Sequence, residues 1–147
     1  MPASPAHSAA GKVRIIAGSL RGSRLAVPDV PGLRPTPDRV RETLFNWLAP
    51  CIAGARCLDA FAGSGALGIE ALSRGAGEVV FIERDPALAA ALQANLERLR
   101  QVRGRVIVGD ALAELPQLAP GFDLVFLDPP FALGLWSEAA RAIGRGG

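Results

Sequence analysis

Gly63, Gly65 and Gly68 stand in the order Gly-x-Gly-x-x-Gly, with Asp59 four residues ahead and Glu83 at the end of the next apolar run. Glycines in such a turn let the backbone approach a ligand with no Cβ in the way. Between a strand and a helix this is the dinucleotide-binding pattern, and Glu83 stands where a carboxylate holds ribose hydroxyls. Two adenosine-bearing cofactors fit it, NAD and S-adenosylmethionine. Asp59 separates them. A carboxylate just before the turn repels a pyrophosphate and suits a cofactor whose sulfonium and amino group are cationic. The plainer role for Asp59 is to pin backbone N–H groups of the loop. For Glu83 the plainer role is a solvated strand end. Asp110, in Gly109-Asp-Ala, either accepts from an adenine amino group or caps the next turn, and the sequence leaves both open.

Asp128-Pro-Pro-Phe131 closes a fourth apolar run. Two prolines stop a strand and stiffen the chain. They hold a carboxylate and a ring at the carboxyl edge of the sheet, where open α/β sheets bind ligands. The chemistry that suits these residue types is methylation of an exocyclic amine. Such an amine is a weak nucleophile because its lone pair is delocalised into the ring. The Asp128 carboxylate and the Pro129 carbonyl can accept both N–H bonds and turn the lone pair outward. The carboxylate also stabilises the charge that develops on nitrogen. Phe131 can stack on a base that has left its helix, a contact worth about 1–3 kcal/mol. The plainer reading is a stiff turn with a buried ring. His7 is the single histidine and lies in the leader, which excludes His-dependent triads.

These residues must be positioned by one domain, since the chain has 147 residues, half of them hydrophobic and 20% charged. That is too apolar for disorder, and no run approaches the roughly 20 apolar residues of a membrane span. Residues 1–11 read as a frayed leader without the apolar stretch of a signal peptide. Cys51 and Cys57 fit no metal or redox spacing and read as two buried, reduced thiols, so no metal is expected and the compartment expected is the cytoplasm. Up to Arg56, eight bases meet three acids, a net +5, while the remainder carries −3. A basic leading segment suggests a polyanion partner, nucleic acid first. A solvated face in an arginine-rich chain is the equal alternative.

Lys12–Ile16 and Ser23–Val27 predict a hairpin around the glycines at 18 and 22. After a proline-rich stretch, Thr36 predicts a helix cap and Pro37 the first helical position. Val40, Leu44, Trp47 and Leu48 form its predicted apolar face, and Pro50 its end. Then strands alternate with helices: Arg56–Phe61, the glycine turn and a helix to Arg74; Glu78–Glu83, a helix capped by Asp85 and opened by Pro86 with Leu88, Leu92, Leu96 and Leu99 inward; Arg105–Gly109; Phe122–Asp128; and a helix over Trp136–Ile143. The order predicts an α/β fold with a parallel sheet and helices on both faces. The domain reading is a leader at 1–11, a basic hairpin and helix at 12–50, which the resemblance described next turns toward RNA, and a cofactor-binding domain at 51–147.

With these residues in place, the chain resembles the bacterial small-subunit ribosomal RNA guanine-N2 methyltransferases, the RsmD family. The resemblance is carried by Arg14-Ile-Ile-Ala-Gly, Arg21-Gly, Arg34-Pro-Thr-Pro-Asp-Arg-Val-Arg-Glu-Thr-Leu-Phe-Asn46, Leu58-Asp-Ala-Phe-Ala-Gly-Ser-Gly-Ala-Leu-Gly-Ile-Glu70 and Asp128-Pro-Pro-Phe131. The Arg-Pro-Thr segment is its most specific part. It implies a Rossmann-like fold that uses S-adenosylmethionine to methylate N2 of guanine 966 of 16S rRNA in assembled small subunits. It implies a cofactor site of Asp59, Phe61, Gly63, Ser64, Gly65, Glu83, Arg84, Asp110 and Ala111, and a catalytic set of Asp128, Pro129, Pro130 and Phe131. Arg14, Arg21, Arg24, Arg34, Arg39 and Arg41 are the RNA-binding candidates. The family's sheet has seven strands, whereas this sequence reaches four. About three strands are therefore expected to be missing, leaving Phe122–Leu127 as an apolar sheet edge. A full-length form is expected to be a monomer.

Other functions compatible with the residues are methylation of adenine N6 in DNA or of a protein glutamine, and an inactive RNA-binding remnant. An NAD-dependent oxidoreductase is disfavoured by Asp59 and by the lack of a proton relay.

Overall fold

The computed structural model describes residues 12–28, 37–118 and 121–127. Two strands, β1 (Lys12–Arg14) and β2 (Arg24–Ala26), pair antiparallel as the glycine spacing predicts, with Arg14 opposite Arg24. Helix α1 (Asp38–Ile52) follows. The remaining elements alternate: β3 (Arg56–Asp59), α2 (Ala66–Ser73), β4 (Glu78–Glu83), α3 (Pro86–Arg98), β5 (Gly104–Val108), α4 (Ala111–Leu118) and β6 (Leu124–Phe126). Strands β3 to β6 form one parallel sheet in the order β5-β4-β3-β6. Among the described strands β6 lies at one edge. The predicted helix at Trp136–Ile143 lies outside the described residues. No described helix is long and apolar enough to cross a membrane.

The apolar runs of β3 and β4 cover both faces of the sheet, because successive side chains alternate. Cys57, Val79 and Phe81 enter a core shared with the hairpin, α1, α2 and α3. Leu58, Val80 and Ile82 enter a second core with Ala111 and Leu115 of α4. Helices therefore cover both faces. Helix α3 starts as read: the Asp85 carboxylate accepts from the N–H groups of Ala87 (2.8 Å) and Leu88 (3.2 Å), and Pro86 opens the helix. Helix α4 has no counterpart in the sequence reading, which took Asp110 to cap at most a turn.

Helix α1 corrects three expectations. Pro37 is the cap residue itself and not the first helical position. Pro50 lies inside the helix, which runs on to Ile52. The buried positions are Arg41, Phe45 and Ile52, while Val40 (54%) and Trp47 (77%) are exposed. The predicted face is thus rotated. A charged residue occupies one of the fully buried slots, and no apolar pattern can mark it. Phe45 follows one turn later, with its ring 5.6 Å from that of Phe126 and 5.2 Å from the Arg74 guanidinium. The cysteine reading is corrected too, since Cys57 is buried but Cys51 is exposed.

Candidate cofactor site at the carboxyl ends of the strands

The parallel register sets Asp59 beside Phe81, and Glu83 beside Val108. The turns after β3, β4 and β5 therefore meet at one edge of the sheet. Gly63 and Gly65 take φ of +55° and +82°, a region where a Cβ is costly. A Cβ at Gly65 would also collide with the Leu92 side chain, and one at Gly68 with the Phe81 ring. The second glycine makes the turn, and the third lets α2 lie close on β4.

The Glu83 carboxylate spans the site. Oε1 accepts from the Gly63 N–H (2.7 Å) and Oε2 from the Asp85 N–H (2.8 Å). Its own carbonyl accepts from the Gly109 N–H at 3.0 Å. Glu83 is thus more than a solvated strand end: it fixes the glycine turn to the start of α3. A carboxylate offers about four acceptor positions, so it keeps capacity for hydroxyl donors. Asp59 is 2% exposed, and its Oδ2 accepts from the Gly68 N–H at 3.1 Å. The loop-pinning role is therefore real, and the negative charge lies at the amino end of α2, where the helix dipole favours it. Asp110 is exposed and accepts from the Leu112 N–H at 3.1 Å, the capping role, at the head of α4. Ser64 is buried, with its Oγ accepting from the Ala66 N–H at 3.3 Å. Phe61 is half-buried against the second core, Arg84 is exposed and Ala111 is buried.

The donor set fits a cationic, hydroxyl-bearing cofactor. Asp59 and Glu83 bond the backbone of the glycine turn and of the helix it opens, and Asp110 follows β5 at the same end of the sheet. Asp128, Pro129, Pro130 and Phe131 lie outside the described residues, as does Arg34. Strand β6 ends at Phe126, whose carbonyl accepts from the Ala60 N–H (3.1 Å) at this same edge.

Arg14, Arg21, Arg24 and Arg39 are exposed. Arg41 is not available to RNA, which corrects its assignment. It is completely buried, donating through Nη2 to the Arg14 carbonyl and to Asp38 (3.1 Å), with Nε 3.7 Å from Glu70. Glu70 is the residue that sequence reasoning missed. Fully buried on α2, it accepts from the N–H groups of Ile16 (2.9 Å) and Ala17 (3.1 Å) and from Arg74 (2.9 Å). It clamps the hairpin and α1 onto the helix that follows the glycine turn. The available signal was one acid inside an otherwise uncharged eight-residue helix.

Cys57 is buried on β3. Burial first, then the charges of Asp123 and Asp59, push its thiol up to about 11. A thiol so raised is no nucleophile at neutral pH.

The family model described as Conserved hypothetical protein 95 matches residues 13–146. The chain belongs to this family. Ribosomal RNA small subunit methyltransferase D of Escherichia coli strain K12 is 52% identical over 143 residues, which cover 97% of this chain and 72% of the relative. The protein of the same name from Haemophilus influenzae is 53% identical over 136 residues, 90% of this chain and 70% of that one. A solved structure from Escherichia coli, carrying the name methyltransferase yhhF, superimposes with a TM-score of 0.85 at 52% identity, covering 93% of this chain and 75% of that one. The parallel sheet with helices on both faces, read from the strand–helix alternation, is thus the fold of this family, as the resemblance implied.

Proposed function

We propose that the chain transfers a methyl group from S-adenosylmethionine to the exocyclic N2 amine of a guanine in 16S rRNA of the small ribosomal subunit, guanine 966 by the family resemblance. The observation that carries the reading is the acid-lined glycine turn, in which Glu83 holds Gly63 while Asp59 lies buried beneath it. The cofactor supplies the methyl group on a sulfonium. Glu83 holds the ribose, Asp59 disfavours phosphate-bearing competitors, and Asp110 takes the adenine end. Asp128 and the Pro129 carbonyl orient the target amine, and Phe131 stacks on the base. The relatives named for the small-subunit ribosomal RNA support RNA over DNA or protein as substrate. The exposed arginines of the hairpin and of α1 face that RNA. In this reading the full-length form is a monomer in the cytoplasm.

The test is transfer of labelled methyl from S-adenosylmethionine to small subunits lacking the mark, followed by nucleoside analysis. N2-methylguanine supports the proposal. N6-methyladenine made on a DNA substrate, or label in protein glutamine, would replace it.

A further inference from the structure

A groove of about 460 Å³ opens at the other edge of the sheet, away from the glycine turn. Gly18 and Ser19 of the hairpin line it, with the chain that leaves α2 and Arg100–Arg103 between α3 and β5. Arg103 immediately precedes β5, and Ala76 lies two residues before β4, so the groove sits at the amino ends of these strands. At about 3.3 Å per residue, the six residues of β4 put it roughly 20 Å from the cofactor edge.

Three arginines line the groove, Arg74, Arg100 and Arg103, and no acid does. Arg74 is committed to Glu70. Arg100 and Arg103 are exposed and form no ion pair among the described residues. Val102 stands between them, 93% exposed. Basic residues at a helix end offset the dipole, and that accounts for Arg98 and Arg100. It does not account for Arg103, which lies past the turn. Arg100 takes φ of +57°, a position after a helix where glycine is the unstrained choice. The charge is also continuous with the hairpin. Arg98 donates to the Arg24 carbonyl, and Arg21 lies in the turn that begins at Gly18.

We propose that this groove binds a phosphodiester stretch of the RNA substrate, at a distance from the target base. The inference rests on the RNA reading above and extends it, because RNA that touches both edges must reach around the hairpin face of the domain. A large folded RNA meets that demand better than a short strand.

The experiment measures binding of RNA purified from small subunits at several salt concentrations. Arg100→Gln with Arg103→Gln is compared with Arg21→Gln with Arg24→Gln, and with lysine at positions 100 and 103. Neutralising the groove is expected to weaken binding at least about 5-fold at low salt and to flatten the salt slope by about 1.4, two contacts at about 0.7 each. Lysine restores the slope, and the affinity for S-adenosylmethionine stays unchanged. A groove variant with the parent slope, beside a hairpin variant with a reduced one, would overturn the groove and leave the RNA reading standing. A parent chain with no salt-dependent RNA binding would overturn both.

Discussion

The carboxylate of Glu83 at the end of β4 accepts a 2.7 Å hydrogen bond from the backbone N–H of Gly63, twenty residues earlier in the chain. With its second oxygen on Asp85, it ties the glycine turn to the head of α3. Glu83→Ala is expected to weaken S-adenosylmethionine binding by roughly 1.5–3 kcal/mol, the scale of a hydrogen bond to a charged group. Calorimetric titration reads it, and an unchanged affinity would remove Glu83 from the site.

Gly65 and Gly22 share nearly the same φ, +82° and +83°, in different surroundings. A Cβ at Gly65 meets Leu92, whereas one at Gly22 meets nothing within 4 Å. Gly22→Ala should cost about 1–2 kcal/mol, the left-handed penalty alone. Gly65→Ala should cost about 1–3 kcal/mol more through overpacking. Urea midpoints of the two variants separate the contributions, and equal midpoints would contradict the packing of α3 against the turn.

Arg41 and Glu70 form a buried ion pair that also holds the hairpin backbone. Arg41→Met leaves the carboxylate short of one partner, which typically costs about 3–5 kcal/mol. Arg39→Met, at an exposed neighbour, should leave stability within about 0.5 kcal/mol. Thermal unfolding of the pair tests this. Wild-type stability in Arg41→Met would contradict the role of this pair in holding the hairpin and α1 to α2.

The two thiols should behave oppositely. Cys51 is exposed, and Cys57 is buried with its thiol raised to about 11. A thiol reagent at pH 8 should label one cysteine in the native chain and the second only after unfolding. A group raised in the folded state stabilises the fold fully below its unfolded value, and that stability fades as pH climbs toward the folded value. Stability should therefore fall between about pH 9 and 11, and Cys57→Ala should flatten that part of the profile.

Asp128→Ala should abolish methyl transfer and leave cofactor affinity intact, because the proposed acceptor touches the target amine and not the cofactor. A filter assay with labelled methyl on small subunits reads the first, and calorimetry the second. Undiminished turnover would remove Asp128 from catalysis.

The acid-lined edge of the sheet was legible because its signals are local. The glycine spacing, the acids Asp59, Glu83 and Asp110 after three of the apolar runs and the Asp85-Pro86 start each act within a few residues, and the register brings the turns that carry them to one edge of the sheet. The α1 face was not legible. Val40 and Trp47 fit a helical stripe, yet the buried slot went to Arg41, whose partners lie in β1 and α2 and meet it only in the folded chain. Glu70 stayed hidden for the same reason. Asp59 and Asp110 each had two readings, and the structure shows the backbone-pinning role of both without displacing the other. The groove had no sequence signature, since Ser19, Arg74 and Arg103 come from three separate connections.

Methyl transfer by this chain requires that S-adenosylmethionine, and not a dinucleotide, occupies the glycine turn. Calorimetric titration of the 147-residue chain with S-adenosylmethionine, and in parallel with NADH, tests it. Saturable binding of S-adenosylmethionine and no heat from NADH is the predicted result. Binding of NADH, or a chain folded by circular dichroism that takes up neither, would contradict it.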